Sequence, residues 1–477
     1  MTWQSMTQQV TLFILFVCSL GWYSVSNDYV VFDNSLFDYV HIWMCWSRII
    51  HYLISSVFIY LLYAYSYSQV CNVKTTRFQN VLFNLSALIA TPGFAAIILI
   101  WSPELQTVKL FFQFFSPCIH LSLMLFSTLL LCCNKKSSVF KRNFTIPFFS
   151  ILFFTMLTFF IHPRSPCVSD VAVNRTKPLI FGHKGFPMIA PENTELSFQL
   201  SLEYVDGFET DVAVSYDGVP FLIHDRTLKR TSNVEDVFPD RKHERAEMFT
   251  WGELQKLDVG TWFIRDHPYH IFPSNYPEEI RQRIKQQKLM SLNQLAVLAA
   301  EHGKYMIFDL RMPPMGHPHA YNYIHVIIDA VLSSGIKQSQ VFWVLGPYAD
   351  YVTSKAPGFN LVYGAKVNHF SKYTMSGLIL EYNTVSGEEI QSYKEKQNMD
   401  VILYTSSTEW TFSLAWCQGA FAYISDDPKI HSQLNKPIFL FTVREYNNIW
   451  RVCFIFCCIC IFLSSYIRTN TYFKPSR

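Results

Sequence analysis

Charged residues are scarce in this chain. Asp, Glu, Lys and Arg make up 16% of its 477 residues, against about a quarter in an ordinary soluble domain. That shortage excludes a chain wetted along its whole length. The two signs nearly cancel, with a formal net charge of +3, so there is no strong positive field of the kind that binds nucleic acid. The twelve cysteines lack zinc-site spacing, and no internal repeat or low-complexity tract is present. Apolar surface is what the chain has in excess: 50% of its residues are hydrophobic and 17% aromatic, which assigns part of it to lipid.

Apolar stretches that reach or approach the length of a hydrocarbon core run over Val10 to Trp22, Ile49 to Tyr67, Val81 to Trp101, Lys109 to Cys133 and Phe144 to His162, and again over Ile449 to Ile467. The first is short and has no basic residue before it, so a retained span and a cleaved signal sequence both stay open. The rest of the chain has the same orientation for either. Lys74 and Arg77, then Lys135, Lys136, Lys141 and Arg142, mark two short loops as cytoplasmic. The loops holding Asp28, Asp33 and Asp38, or Glu104, are poor in Lys and Arg and face the other side. Arg468, Lys474 and Arg477 place the tail in the cytoplasm. The expected organisation is an all-α multi-pass transmembrane region over residues 1–162, an extracellular or lumenal domain over residues 163–447, and a last span with a short tail over residues 448–477. The spans hold almost no ionisable residue beyond His51 and His120, which speaks against a transporter or channel.

On that topology Asn174-Arg175-Thr176 is the sequon expected to be glycosylated, since Asn84-Leu85-Ser86 lies within a span and Asn143-Phe144-Thr145 at a cytoplasmic edge. Only Cys167 and Cys417 belong to the outer domain, and Cys417, in Leu414-Ala415-Trp416-Cys417, reads as a buried helix residue rather than half of a bridge. Cys132 and Cys133 sit beside a cytoplasmic face, where palmitate and a plain lipid-facing role both stay open.

The outer segment, about 280 residues, suits one barrel-sized domain. Strand candidates alternate with helix-like stretches: Leu179 to Gly182, Gly207 to Val214, Pro220 to His224, Tyr305 to Leu310, Val341 to Leu345, Leu361 to Tyr363, Gly377 to Glu381 and Val401 to Tyr404. About eight strands alternating with helices predict a parallel sheet closed into a barrel, with the chemistry at the C-terminal ends of the strands. The interval Arg226 to Met290, rich in charge and Pro, reads as an insertion or lid over that mouth.

Gly182-His183-Lys184-Gly185, Ala190-Pro191-Glu192-Asn193-Thr194, Phe208-Glu209-Thr210-Asp211-Val212 and Leu222-Ile223-His224-Asp225 follow one another closely, each near an apolar, strand-like run. Two histidines, several carboxylates and a basic residue are the equipment for metal-assisted phosphodiester chemistry. Glu209 and Asp211 alternate along one strand, so their side chains share a face and suit one hard cation held through oxygen. His183 and His224 fit acid and base roles, because an imidazole titrates near neutral pH; His224 is also a candidate metal contact.

The segment from Pro178 to Asn435 resembles the glycerophosphodiester phosphodiesterase family, and the whole chain resembles its multi-pass animal branch. Besides the motifs above, the likeness rests on Asp217-Gly218-Val219-Pro220, Arg230-Thr231-Ser232-Asn233 and Leu257-Asp258-Val259-Gly260-Thr261-Trp262-Phe263. It implies an α/β fold of the TIM-type (β/α)8 barrel class, a divalent metal cation (Ca2+ or Mg2+), and hydrolysis of a glycerophosphodiester to an alcohol and a phosphomonoester. The resemblance adds Asp309, in Phe308-Asp309-Leu310-Arg311, as a third metal carboxylate where the family more often has Glu. It also puts Lys184 where the family usually has Arg. Lys184 is an implied phosphate contact, Glu192 and Asn193 would orient the phosphate or complete the coordination shell, Arg311 is positioned to share the phosphate contact, and Tyr404 is a candidate for the glycerol or headgroup side. The expected protein is a membrane-anchored phosphoric diester hydrolase acting on a glycerophosphodiester or a lysophospholipid-type substrate at the bilayer. The alternative, prompted by Lys184 and Asp309, is a catalytically weak relative that binds or signals.

Overall fold

The computed structural model describes residues 3–25, 46–71, 73–99, 166–168, 176–269, 276–365, 373–405, 407–438 and 440–472, with a few single positions between. The chain divides into two compact units. One takes residues 1–29, 46–174 and 439–477; the other takes residues 30–45 and 175–438.

The first unit contains the helices Trp3–Val25, Trp46–Cys71, Arg77–Leu99 and Val443–Tyr472. The first three share an apolar core of Leu12, Leu15, Leu61, Tyr65 and Phe83. Polar side chains join them: Gln9 donates to the Tyr65 hydroxyl at 2.7 Å, and the Ser19 and Ser55 hydroxyls meet at 2.7 Å. Asn84 lies within the helix Arg77–Leu99. By length and composition one helix among the described residues suffices to cross a membrane, over Trp46–Ser68. The expected spans Lys109 to Cys133 and Phe144 to His162, the cysteine pair Cys132 and Cys133, and the sequons at Asn143 and Asn174 lie outside the described residues.

The second unit is a barrel. Its strands are β1 (Leu179–His183), β2 (Gly207–Val214), β3 (Pro220–Leu222), β4 (Tyr305–Leu310), β5 (Val341–Val344), β6 (Asn360–Tyr363), β7 (Gly377–Glu381), β8 (Asp400–Tyr404) and β9 (Ala422–Ser425). Eight of these run parallel in the order β1-β9-β8-β7-β6-β5-β4-β2, and β1 pairs with β2 to close the ring. Two expectations need correction. Pro220 to His224 is not a barrel stave: β3 folds back on β2 as an antiparallel hairpin partner, pairing Val212 with Leu222. The eighth stave is β9, which has little signal in the sequence because it is short and comes after a helix, Glu409–Gln418, that is buried on every side.

Alternation along the strands divides the side chains between two layers. Phe181, Ile307, Phe342, Val362, Ile379, Ile402, Ala422 and Ile424 plug the lumen. The outward set, including Phe208, Phe308, Trp343, Leu378, Leu403 and Tyr423, packs beneath the surrounding helices. Those helices begin at well-formed caps: Ser291 and Ser386 each close a capping box with Gln294 and Glu389.

Residues 226–269 and 276–290 belong to an insertion with a small core of its own, where Leu228, Val234, Phe249, Leu254 and Leu257 gather against Phe221 and Ile223. Cys417 is buried on its helix as expected, yet it is also disulfide-bonded, as is Cys167. The preference for a plain buried thiol is overturned.

Candidate active site

Two residues above the apolar plug, the same lumen-facing positions turn polar. His183 ends β1, Glu209 and Asp211 stand on β2, and Asp309 stands on β4. Register brings them together: His183 pairs with Glu209, and Asp211 with Asp309. His224 arrives by a different route. The antiparallel return of β3 continues past Leu222, and the Ile223 amide donates to the Asp211 carbonyl at 3.0 Å, which sets His224 beside the same wall.

The His183 Nδ1 lies 2.6 Å from Asp426 Oδ1, and its Nε2 is 3.7 Å from Glu209 Oε2. Burial alone would lower the pKa of this imidazole. Asp426 and Glu209 outweigh burial and hold it up to about 9. His224 Nδ1 has its own carboxylate, Asp225 Oδ1 at 2.9 Å. Each ring thus has Nδ1 engaged by an acid, which fixes the tautomer and leaves Nε2 for chemistry.

Behind these groups lies a buried ion network. Arg230 donates to both oxygens of Glu192 at 2.8 Å, and to Asp225 at 2.7 and 2.9 Å. Its guanidinium sits 5.6 Å from the centre of the Trp262 ring. Lys184 joins through Glu192 Oε1 at 3.8 Å. Burial would raise the Glu192 carboxyl, but Arg230 and Lys184 hold it down to about 2. Burial would lower the Lys184 ammonium, but Glu192 and Asp211 keep it raised. Two residues before Trp262, a Cβ on Gly260 would collide with the Ile284 carbonyl oxygen.

The residues expected to touch phosphate are therefore distributed in three ways. Lys184 and Glu192 are buried and belong to the ion network with Arg230. Asn193 accepts from the Thr210 hydroxyl at 2.7 Å, and its buried Nδ2 has no hydrogen-bond partner. Arg311 lies just past β4, its Nε also buried and unpartnered, beside a cleft of about 390 Å³ shared with Asp211, Asp309, Tyr323 and Trp343. Lys184, at φ +54, and Gly185, at φ +91, turn the chain sharply after β1. A Cβ on Gly185 would meet Ser197 Oγ at 2.6 Å, so only glycine fits.

Two functional residues escape sequence reasoning. Asp426 comes directly after the unrecognised β9, and its only signal is the pair Asp426-Asp427 before Pro428. Arg230 belongs to a recognisable motif that by itself assigns it no role.

The carboxylates suit a cation. Glu209 Oε2 and Asp211 Oδ2 are buried without a hydrogen-bond partner. Burial, with the charges of Asp211 and Asp309, pushes the Glu209 carboxyl up to about 8. Asp309, exposed at the lip, is raised by partial desolvation and by Asp211. Among the described residues no three His, Cys, Asp or Glu side chains stand at coordination spacing; Glu209, Asp211 and Asp309 are the oxygen donors that would hold a cation.

Comparison with known proteins identifies the chain's relatives. Residues 183–314 match the model of the glycerophosphoryl diester phosphodiesterase family. Glycerophosphodiester phosphodiesterase domain-containing protein 5 of Mus musculus is 30% identical over 92% of this chain and 75% of its own length. The chain belongs to the glycerophosphodiester phosphodiesterase family. It is accordingly a phosphoric diester hydrolase. Another family member, named glycerophosphoinositol inositolphosphodiesterase, also of Mus musculus, is 30% identical over 92% of this chain and 84% of its own. A solved phosphodiesterase of Oleispira antarctica, in complex with sn-glycerol-3-phosphate, covers 53% of this chain and 95% of its own at 21% identity, with a TM-score of 0.42.

Proposed function

We propose that this chain is a membrane-anchored, cation-dependent glycerophosphodiester phosphodiesterase whose barrel faces the extracellular or lumenal side. The observation that carries the reaction is the pair of imidazoles, His183 and His224, each held at Nδ1 by its own carboxylate beside one carboxylate-lined lumen.

His224 Nε2 acts as the base, taking the proton from the attacking oxygen, which is water or the substrate's own neighbouring hydroxyl. A new oxygen–phosphorus bond forms and the ester bond to the alcohol breaks. His183, held protonated by Asp426 at neutral pH, returns a proton to the departing alkoxide. Asn193 and Arg311 have the free donors that would orient the phosphate oxygens. Glu209, Asp211 and Asp309 would hold the cation, with His224 within the same wall. Hard oxygen donors favour Ca2+ or Mg2+, which when bound would polarise the phosphoryl oxygens and offset their developing charge.

Membrane attachment is supported by the outward apolar side chains of the helical unit, among them Ile59, Leu88 and Ile89. The disulfide-bonded state of Cys167 and Cys417 supports an oxidising, extracytoplasmic setting. The proposed division remains a membrane region over residues 1–162, the catalytic domain over 163–447, and a final span with a cytoplasmic tail over 448–477.

The test uses the full chain purified in detergent, with glycerophosphocholine and glycerophosphoinositol as substrates. Chelation should abolish product release and Ca2+ or Mg2+ should restore it, while His183→Ala and Glu209→Ala should be inactive. Undiminished turnover in either variant overturns the assignment. Topology is read separately: glycosidase treatment should shift the wild-type band on a gel and leave Asn174→Gln unmoved.

A further inference from the structure

The hydrolytic groups occupy one arc of the mouth, on β1, β2 and β4 with Asp426 after β9. The opposite arc is built differently. β7 lies four strands from β2 in either direction round the ring, so its C-terminal end looks across the lumen at Glu209 and Asp211. β7 ends in Glu381, and Glu381 is in register with Tyr404, the last residue of β8. Ile379 and Ile402, two residues earlier, belong to the apolar plug. Alternation therefore turns Glu381 and Tyr404 into the same lumen, one layer higher and side by side.

Both residues are reachable: Glu381 is partly exposed and Tyr404 is 37% exposed. The Glu381 carboxylate has no hydrogen-bond or ion-pair partner among the described residues. Burial pushes its carboxyl above the usual range, the mark of a charge that lacks a counterion. No catalytic task needs it, because the two histidines already have their carboxylates.

A carboxylate beside an aromatic ring suits one class of group better than any other. A polyol asks for donors and acceptors in fixed directions, whereas an ammonium asks only for negative potential, which a carboxylate and a ring face supply together. A quaternary ammonium has no N–H to donate and depends on that potential entirely. With the phosphate on the β2 and β4 side, one substituent of the diester extends toward β7 and β8.

We propose that Glu381 and Tyr404 form a headgroup subsite that selects phosphodiesters bearing an ammonium substituent. The assignment rests on the reaction proposed above and adds the substrate class.

The full chain in detergent is compared with Glu381→Gln, Tyr404→Leu and Tyr404→Phe. The quantity read is kcat/KM for glycerophosphocholine divided by kcat/KM for glycerophosphoinositol. Removing the charge or the ring should lower that ratio about tenfold, the scale of one charge-assisted contact, while Tyr404→Phe keeps the ring face and the wild-type ratio. An unaltered ratio in Glu381→Gln overturns the subsite. Calorimetric titration with phosphocholine reads it without turnover: weaker binding by Glu381→Gln than by wild type supports the subsite, and equal affinity sinks it. A wild-type chain that binds phosphocholine through Glu381 yet hydrolyses neither diester would refute the hydrolytic reading and leave the subsite standing.

Discussion

Replacing Arg230 with Met removes the guanidinium from a place it fills almost completely, with 2% of the residue exposed. Four hydrogen bonds vanish, two to Glu192 and two to Asp225. Met keeps much of the volume over Trp262, so the loss is mainly electrostatic. Glu192 is left with the Lys184 ammonium at 3.8 Å, and Asp225 with the His224 imidazole at 2.9 Å. Stripping one partner from a buried ion pair costs about 3 to 5 kcal/mol. At roughly 2 to 4 °C per kcal/mol for a domain of this size, Tm should fall by about 6 to 20 °C. The pH dependence has a definite sign. In the wild type the Glu192 carboxyl is held down to about 2 from an ordinary 4.5, so its stabilisation is complete above 4.5 and fades as pH falls toward 2. Without Arg230 burial prevails and that carboxyl rises, so the deficit is largest at neutral pH and shrinks on acidification. Thermal melts of the full chain in detergent, followed by tryptophan fluorescence at neutral pH and near 4.5, read both effects. Arg230→Lys should fall between wild type and Arg230→Met, because a single ammonium cannot span two carboxylates. A neutral-pH Tm within about 2 °C of wild type, or a deficit that grows with acid, would refute the reasoning.

Asp426→Asn removes the charge 2.6 Å from His183 and should lower kcat at least about a hundredfold, the scale of one acid–base group, with little change in KM; steady-state rates within threefold of wild type would show that Asp426 is idle. Chelated protein should be more stable at lower pH, because Glu209 titrates at about 8 when folded and near 4.5 when unfolded, so stability declines as pH rises between the two. Saturating Ca2+ or Mg2+ should raise Tm above neutrality and flatten that slope, and a Tm indifferent to both chelator and cation would count against the site. Gly185→Ala forces a Cβ to within 2.6 Å of Ser197 Oγ at φ +91 and should cost at least about 2 kcal/mol, read as a lower Tm; an unchanged melt would mean the loop relaxes freely.

Most of the barrel was legible because strand signals are local. Seven of the eight staves were visible as apolar runs bounded by turn residues. The eighth, Ala422–Ser425, was hidden because neither period 2 nor period 3.6 stands out where a wholly buried helix leads into a short buried strand. With β9 unseen, Asp426 was unseen. Pro220 to Leu222 was correctly read as strand, but pairing direction is a property of two segments, and only the fold shows that β3 runs against β2. That reversal is what delivers His224 to the mouth.

The site divides along the same line. Sequence by itself determined which residue types were available and which shared a strand face: Glu209 with Asp211, and the two histidines at the ends of apolar runs. It also showed that half of the residues are hydrophobic and few are charged. Tertiary structure alone decided the pairings. His183 meets a carboxylate 243 residues away, and Arg230 joins Glu192, 38 residues before it, to Asp225, five before it. Those pairings placed Lys184 and Glu192 in a buried ion network with Arg230, and left Asn193 Nδ2 and Arg311 Nε without a hydrogen-bond partner. The reason is physical: side-chain alternation repeats every two residues and is written in any short stretch, whereas an ion pair forms only after barrel closure has brought distant strands together and removed both partners from water.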